Sequence, residues 1–221
     1  MTDTTENYII LDPDFARKIA KHLLDINAVV LRPNEPFTWA SGWNSPIYCD
    51  NRLTLRYPEI RKEISQGLIR IIEKHFSDVD VITGTATAGI PHAAWVAGSL
   101  NKPLAYVRAK AKSYGLGNQI EGGVDKGQST LVIEDLISTG GSAVSVIEAL
   151  QFIGAEVRGV LSIFTYGFEK ATEKFNNLNI PVYCLTDYQT LIEVAVDEGR
   201  IEENDLDLLN AWRENPSEWP N

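Results

Sequence analysis

The chain has 221 residues, of which 44% are hydrophobic and 23% charged, with a formal net charge of -10. That composition belongs to a globular protein and excludes a disordered or fibrous chain. The acidic balance argues against non-specific nucleic-acid binding, which needs Lys and Arg against phosphate.

In chain order, the N-terminus is polar and acidic. It lacks the basic segment and apolar core of a secretory signal, and no later apolar run reaches the length of a membrane span. Asp12 caps a first helix, Pro13 fits its first turn, and Phe15, Ile19, Leu23 and Ile26 recur at helical spacing. A proline-containing stretch then carries the aromatics Phe37, Trp39, Trp43 and Tyr48 and reads as irregular or short-stranded. A second helix is expected from Pro58 to about Lys74. Beyond it the pattern alternates, strand with helix. VDVIT, PLAYV, STLVIEDLI, EVRGVLSIFTY and PVYCLTDY read as strands; segments beginning near Ile90, Ala143, Gly167, Gln189 and Glu203 read as helices. This rhythm predicts a mainly parallel sheet covered by helices on both faces. Ligands of such sheets sit at the carboxyl ends of strands. Three loops leave strands there: Thr83–Gly89, the basic loop after Val107, and the segment that follows Ile133.

The last of these reads EDLISTGGS. Adjacent glycines allow a sharp turn that points several N–H groups at one spot. Thr139 and Ser142 add hydroxyls, and the helix that follows adds its free N–H groups and positive dipole end. This is a cup for a phosphate monoester. Glu134 and Asp135 are suited to accept hydrogen bonds from sugar hydroxyls or to hold Mg²⁺. Acids followed by a cup fit a phosphorylated sugar. The basic loop carries Arg108, Lys110, Lys112 and Tyr114 among mobile glycines, a composition able to close over a polyphosphate. The small residues of Thr83–Gly89 permit close backbone approach, either to a diphosphate or to a packed helix. Cys49 and Cys184 stand far apart in no motif, so neither a disulfide framework nor a zinc site is expected, and the compartment is read as cytoplasmic. His22, His75 and His92 are read as surface or hydrogen-bonded structural histidines, and the acidic C-terminal segment as a packing helix.

The stretch VIEDLISTGGS closely resembles the phosphoribosyl-pyrophosphate signature of the type I phosphoribosyltransferases. FTWASGWNSPIYCDNR, GTATAGIPHAAWVA and YVRAKAKSYGLGNQIEG are similar to segments of the orotate-specific family within that group, from about Val29 to Asp187. The resemblance implies transfer of ribose 5-phosphate from 5-phosphoribosyl 1-pyrophosphate (PRPP) to orotate, with Mg²⁺ carried on the donor near Asp135. It implies that Glu134 and Asp135 hold the ribose, and that Leu136, Ile137, Ser138, Thr139, Gly140, Gly141 and Ser142 bind the donor, with Ser138 also meeting orotate. Arg108 and Lys112 would act on the leaving pyrophosphate from the partner subunit of a homodimer, with Tyr114 where the family commonly has His. The family places a hood over the base, here Ser45 to Tyr48, and some members carry Lys where this chain has Ala88. The expected organisation is one domain over residues 1–221: an N-terminal helix and hood to about 57, a core over about 58–190, and closing helices over about 191–221. A transferase for another base, or a ligand-sensing regulator of the same fold, are the alternatives.

Overall fold

The computed structural model describes residues 8–38, 42, 44–109 and 119–219. Helix α1 (Pro13–Asp25) leads into a small N-terminal layer of strands β1 (Val29–Leu31), β2 (Phe37–Thr38), β3 (Asn44–Ser45) and β4 (Ile47–Cys49), closed by a 3₁₀ turn over Asn51–Arg56. The core follows as α2 (Pro58–His75), β5 (Val81–Thr85), α3 (Gly89–Leu100), β6 (Leu104–Val107), β7 (Ile120–Glu121), β8 (Ser129–Ile137), α4 (Gly141–Phe152), β9 (Glu156–Thr165), α5 (Glu169–Asn177) and β10 (Val182–Asp187). Helices α6 (Tyr188–Asp197) and α7 (Asp205–Glu214) close the chain.

The central sheet has the order β10-β9-β8-β5-β6-β7. All neighbours are parallel except β7, a two-residue strand that runs antiparallel to β6 and was not foreseen in its glycine-rich surroundings. From β5 the chain crosses to β6 on one side, then returns to place β8 on the other. The sheet therefore changes direction between β5 and β8, and the crevice outside their carboxyl ends is where such folds bind ligands.

Alternation along the strands sends side chains to two apolar layers. On β8, Leu131 and Ile133 join the layer under α1, α2 and α3, whereas Val132 joins the layer under α4 and α5. The expected start of α1 is observed: the Asp12 carboxylate accepts the Phe15 N–H at 3.0 Å, with Pro13 in the first turn. Helix α2 runs one residue past its expected end. The closing helix α7 packs as expected, and it also reaches the hood. Its fully buried Trp212 lies against Tyr166, Phe168 and Tyr188 and donates its indole N–H to the Asn44 carbonyl at 3.3 Å.

Two of the three histidines sit as expected: His22 pairs with Glu63 at 3.0 Å, and His75 lies beside Tyr183. His92 departs from that expectation. It is 1% exposed, and neither ring nitrogen has a hydrogen-bond partner among the described residues. Burial disfavours its charged form and pushes its pKa down to about 4, so it packs as a neutral aromatic ring against Trp95. Among the described residues no helix is long and apolar enough to cross a membrane.

Candidate active site

A cleft of about 550 Å³ opens at the β5–β8 switch point. One wall is the carboxyl end of β8 and the turn into α4, from Glu134 through Ala143. Every residue from Glu134 to Ser142 assigned from the sequence lines this cleft. The opposite wall is the loop Thr85–Ala88 after β5, and the rim is the hood segment Cys49–Arg52.

The turn has the shape its sequence demands. Gly140 adopts a positive φ of 73°, which L side chains rarely adopt, and a Cβ there would also meet the Phe175 ring at 3.1 Å. Helix α4 begins at Gly141, two residues before its apolar run, so its free N–H groups lie within the cup rather than beyond it. Lys174 of α5 braces the turn from behind by donating to the Thr139 carbonyl at 2.8 Å. Lys174 lies in an ordinary amphipathic helix and carries no sequence signal of this role.

The acid pair lies inside strand β8, as the reading of STLVIEDLI placed it. Glu134 is 5% exposed and accepts the Asp135 N–H at 3.0 Å. Burial, and then the neighbouring Asp135, push its pKa up to about 9; burial also raises that of Asp135. Both shifts favour a proton on the pair. A cation or a set of sugar hydroxyls arriving there meets acids that are ready to ionise.

The hood contributes a residue that the sequence reading passed over. Asn51 is 1% exposed, and its side-chain amide donates to the Asp135 carbonyl at 2.7 Å. Its own carbonyl accepts the Thr54 hydroxyl at 2.6 Å, and its side-chain oxygen accepts from the Cys49 thiol at 3.4 Å. Asn51 ties the hood to the acid pair. Cys49 stays a thiol, because burial and then the nearby Asp135 raise its pKa.

The small residues of Thr83–Gly89 divide between two tasks. A Cβ on Gly84 would lie 2.9 Å from the Ile90 Cα, and one on Gly89 would overlap the Ile133 carbonyl. These glycines serve the packing of α3 on β5 and β8. Thr85, Ala86, Thr87 and Ala88 line the cleft.

A second chamber of about 420 Å³ adjoins the first and shares Cys49, Leu136 and Ser138 with it. Phe37, Thr38, Tyr48 and Tyr166 complete its lining. The Phe37 and Tyr48 rings lie 5.7 Å apart at its mouth. Of the four hood residues expected near a base, Tyr48 lines this chamber. Ser45 and Ile47 are fully buried, and the Ser45 hydroxyl donates to the Ile47 carbonyl at 2.8 Å. Tyr166, at the end of β9, was not singled out; nothing in its local sequence marks it. Ser138 lines both chambers.

Arg108 ends β6, where its guanidinium pairs with Glu121 at 3.2 Å, and it does not line this cleft. Lys112 and Tyr114 lie outside the described residues.

The phosphoribosyl transferase domain model matches residues 57–199. The orotate phosphoribosyltransferase of Bacillus subtilis is 60% identical over 198 residues, covering 90% of this chain and 92% of that protein. The chain belongs to the orotate phosphoribosyltransferase family. The Staphylococcus haemolyticus member is 56% identical over 200 residues, covering 90% of this chain and 99% of its own. Among solved structures, the orotate phosphoribosyltransferase of Aeropyrum pernix superposes with a TM-score of 0.72 at 29% identity, covering 83% of this chain and 99% of that one. The domain match begins as the hood ends, whereas the alignments with the two bacterial relatives extend over 90% of the chain.

Proposed function

We propose that this chain transfers ribose 5-phosphate from PRPP to orotate, giving orotidine 5'-phosphate and pyrophosphate. The observation that carries the reading is the two-chambered cleft: a phosphate cup and acid pair on one side, an aromatic-walled chamber on the other, joined at Ser138. The family membership supports the same reaction.

The 5'-phosphate sits in the cup of Ser138 to Ser142 at the start of α4, where N–H groups and the helix dipole favour an anion. Glu134 and Asp135 accept the ribose hydroxyls, held in register by Asn51. The base enters the chamber walled by Phe37, Tyr48 and Tyr166 and meets Ser138. Displacement at the anomeric carbon passes through an oxocarbenium-like transition state, as in other glycosyl transfers. Orotate is already an anion, so the site needs no strong general base. Its contributions are alignment of the two reactants and stabilisation of the departing diphosphate.

Oxygen donors at Glu134 and Asp135 suit a hard cation, and Mg²⁺ carried on the donor would neutralise charge on the leaving diphosphate. Lys112 and Arg108 act on the diphosphate from the partner subunit of a homodimer. The placement of Arg108 away from its own chain's cleft supports an action in trans. The chain works as one domain in the cytoplasm, with hood, core and closing helices as its three segments.

The test is a steady-state assay with PRPP and Mg²⁺ in which orotate, uracil, adenine and xanthine are offered in turn. Turnover with orotate alone is expected. Equal or greater turnover with another base would overturn the assignment, and binding of PRPP without any transfer would identify a ligand sensor instead.

A further inference from the structure

The charge inventory of the cleft does not match its substrate. Its lining carries three carboxylates, Asp50, Glu134 and Asp135, and Arg52 is the one cation among the described residues there. PRPP brings a phosphate and a diphosphate. The cup answers the phosphate. The loop Thr85–Ala88, opposite, offers small neutral side chains and leaves a diphosphate without a charged partner on that wall.

We propose that Arg52 is a donor-binding residue, paired with Asp50 in this structure and turning onto the diphosphate of PRPP. The inference rests on the reaction proposed above. The placement comes from the neighbours of Arg52. Asn51 pins the start of the 3₁₀ turn to the Asp135 carbonyl, so the next residue stands beside the ribose-binding acids and outside the 5'-phosphate cup. On a ribose gripped at its 5' end by the cup and along its hydroxyls by the acids, the remaining charged end is the diphosphate at the anomeric carbon. Arg52 lines the donor cleft and not the aromatic chamber, which separates it from the base.

Its present partner is suited to release it. The guanidinium forks onto Asp50 at 2.6 and 3.0 Å, with the Arg52 side chain 63% exposed and that of Asp50 20% exposed. The guanidinium side of this pair is open to water, and phosphate oxygens accept the same bidentate fork. Asp50 is fixed independently of that fork. Its N–H donates to the Ala28 carbonyl at 2.7 Å, and its carboxylate caps the 3₁₀ turn by accepting the Arg52 N–H at 3.2 Å. The carboxylate keeps the cap bond when the guanidinium leaves, so the hood holds its shape while Arg52 moves.

The experiment compares wild type with Arg52→Ala and Arg52→Lys, measuring KM for each substrate and titrating PRPP–Mg²⁺ and pyrophosphate calorimetrically. Arg52→Ala is expected to raise the PRPP KM and the dissociation constants of PRPP and pyrophosphate by tenfold or more, with the orotate KM changed less than twofold. Arg52→Lys is expected to recover part of the loss, because charge remains while the fork is gone. A purely structural role would weaken both substrates together and would not respond to Lys. Unchanged PRPP and pyrophosphate binding in Arg52→Ala, or a rise confined to the orotate KM, would overturn the proposal. If wild type binds PRPP but does not act on orotate, the proposed reaction fails while the binding ratio still judges Arg52. If wild type binds no PRPP, both fail.

Discussion

Glu134→Gln provides a direct test of the buried acid pair, because it keeps the shape of the side chain and removes its charge. In the unfolded chain Glu134 titrates near its ordinary 4.5; in the folded, ligand-free protein burial holds the proton to about 9. Below the lower value the group is protonated in both states and costs nothing. Between the two values the unfolded chain ionises while the folded one does not, so stability falls as pH rises through that window and levels off above it. Each pH unit inside the window is worth at most about 1.4 kcal/mol. Wild type is therefore expected to lose about 2–3 kcal/mol relative to Glu134→Gln between about pH 6 and about pH 8. For a chain of this size that is a gap in Tm growing by roughly 5–10 °C. Scanning calorimetry of both proteins without ligand across that range measures it. Parallel Tm curves for the two proteins would refute the reasoning, because they would mean that Glu134 is already ionised in the empty cleft.

Asn51→Ala removes the 2.7 Å bond to the Asp135 carbonyl and leaves a buried acceptor unpaired; the expected cost is about 1–3 kcal/mol, read as a lowered Tm together with reduced turnover, and wild-type values for both would show that the hood is held elsewhere. Lys112→Ala is expected to cut turnover about a hundredfold or more through lost stabilisation of the leaving group, with Tm unchanged; near-normal turnover would remove Lys112 from the mechanism. Mixing Lys112→Ala with Asp135→Asn subunits is expected to restore part of the activity, since one hybrid site then has both an intact acid pair and an intact loop. No recovery on mixing would place the loop's action within its own chain.

Much of the fold and part of the site could be read from local chemistry. The strand STLVIEDLI ends where its apolar run predicts, at Ile137. Asp12 and Pro13 start α1 because capping and a fixed φ act within one turn. The cup could be read because an anion site made of backbone N–H groups needs glycines and hydroxyls in consecutive positions. In the sequence, the acid pair and the turn into α4 are one contiguous stretch, and in the fold they line one wall. The alternation of strand and helix determined a parallel sheet, since each strand is followed by a crossover that covers a face.

Tertiary structure decided what depends on residues distant in the chain. Asn51 and Asp135 are 84 positions apart, and Lys174 and Thr139 are 35 apart; neither pair has a local pattern, because a single side-chain bond imposes no periodicity on its neighbours. The two tasks of Thr83–Gly89 look alike in sequence, since glycine is needed both for helix packing and for backbone approach. Only the carbonyl of Ile133 against Gly89 tells them apart. His92 shows the same limit from the other side: its burial, and hence its neutral state, is set by elements packed over it. The sequence alone determined which chemistry this chain carries, because backbone-built phosphate sites are local. The packing of hood against core decided which side chains surround the reacting sugar, because that packing joins segments the chain keeps far apart.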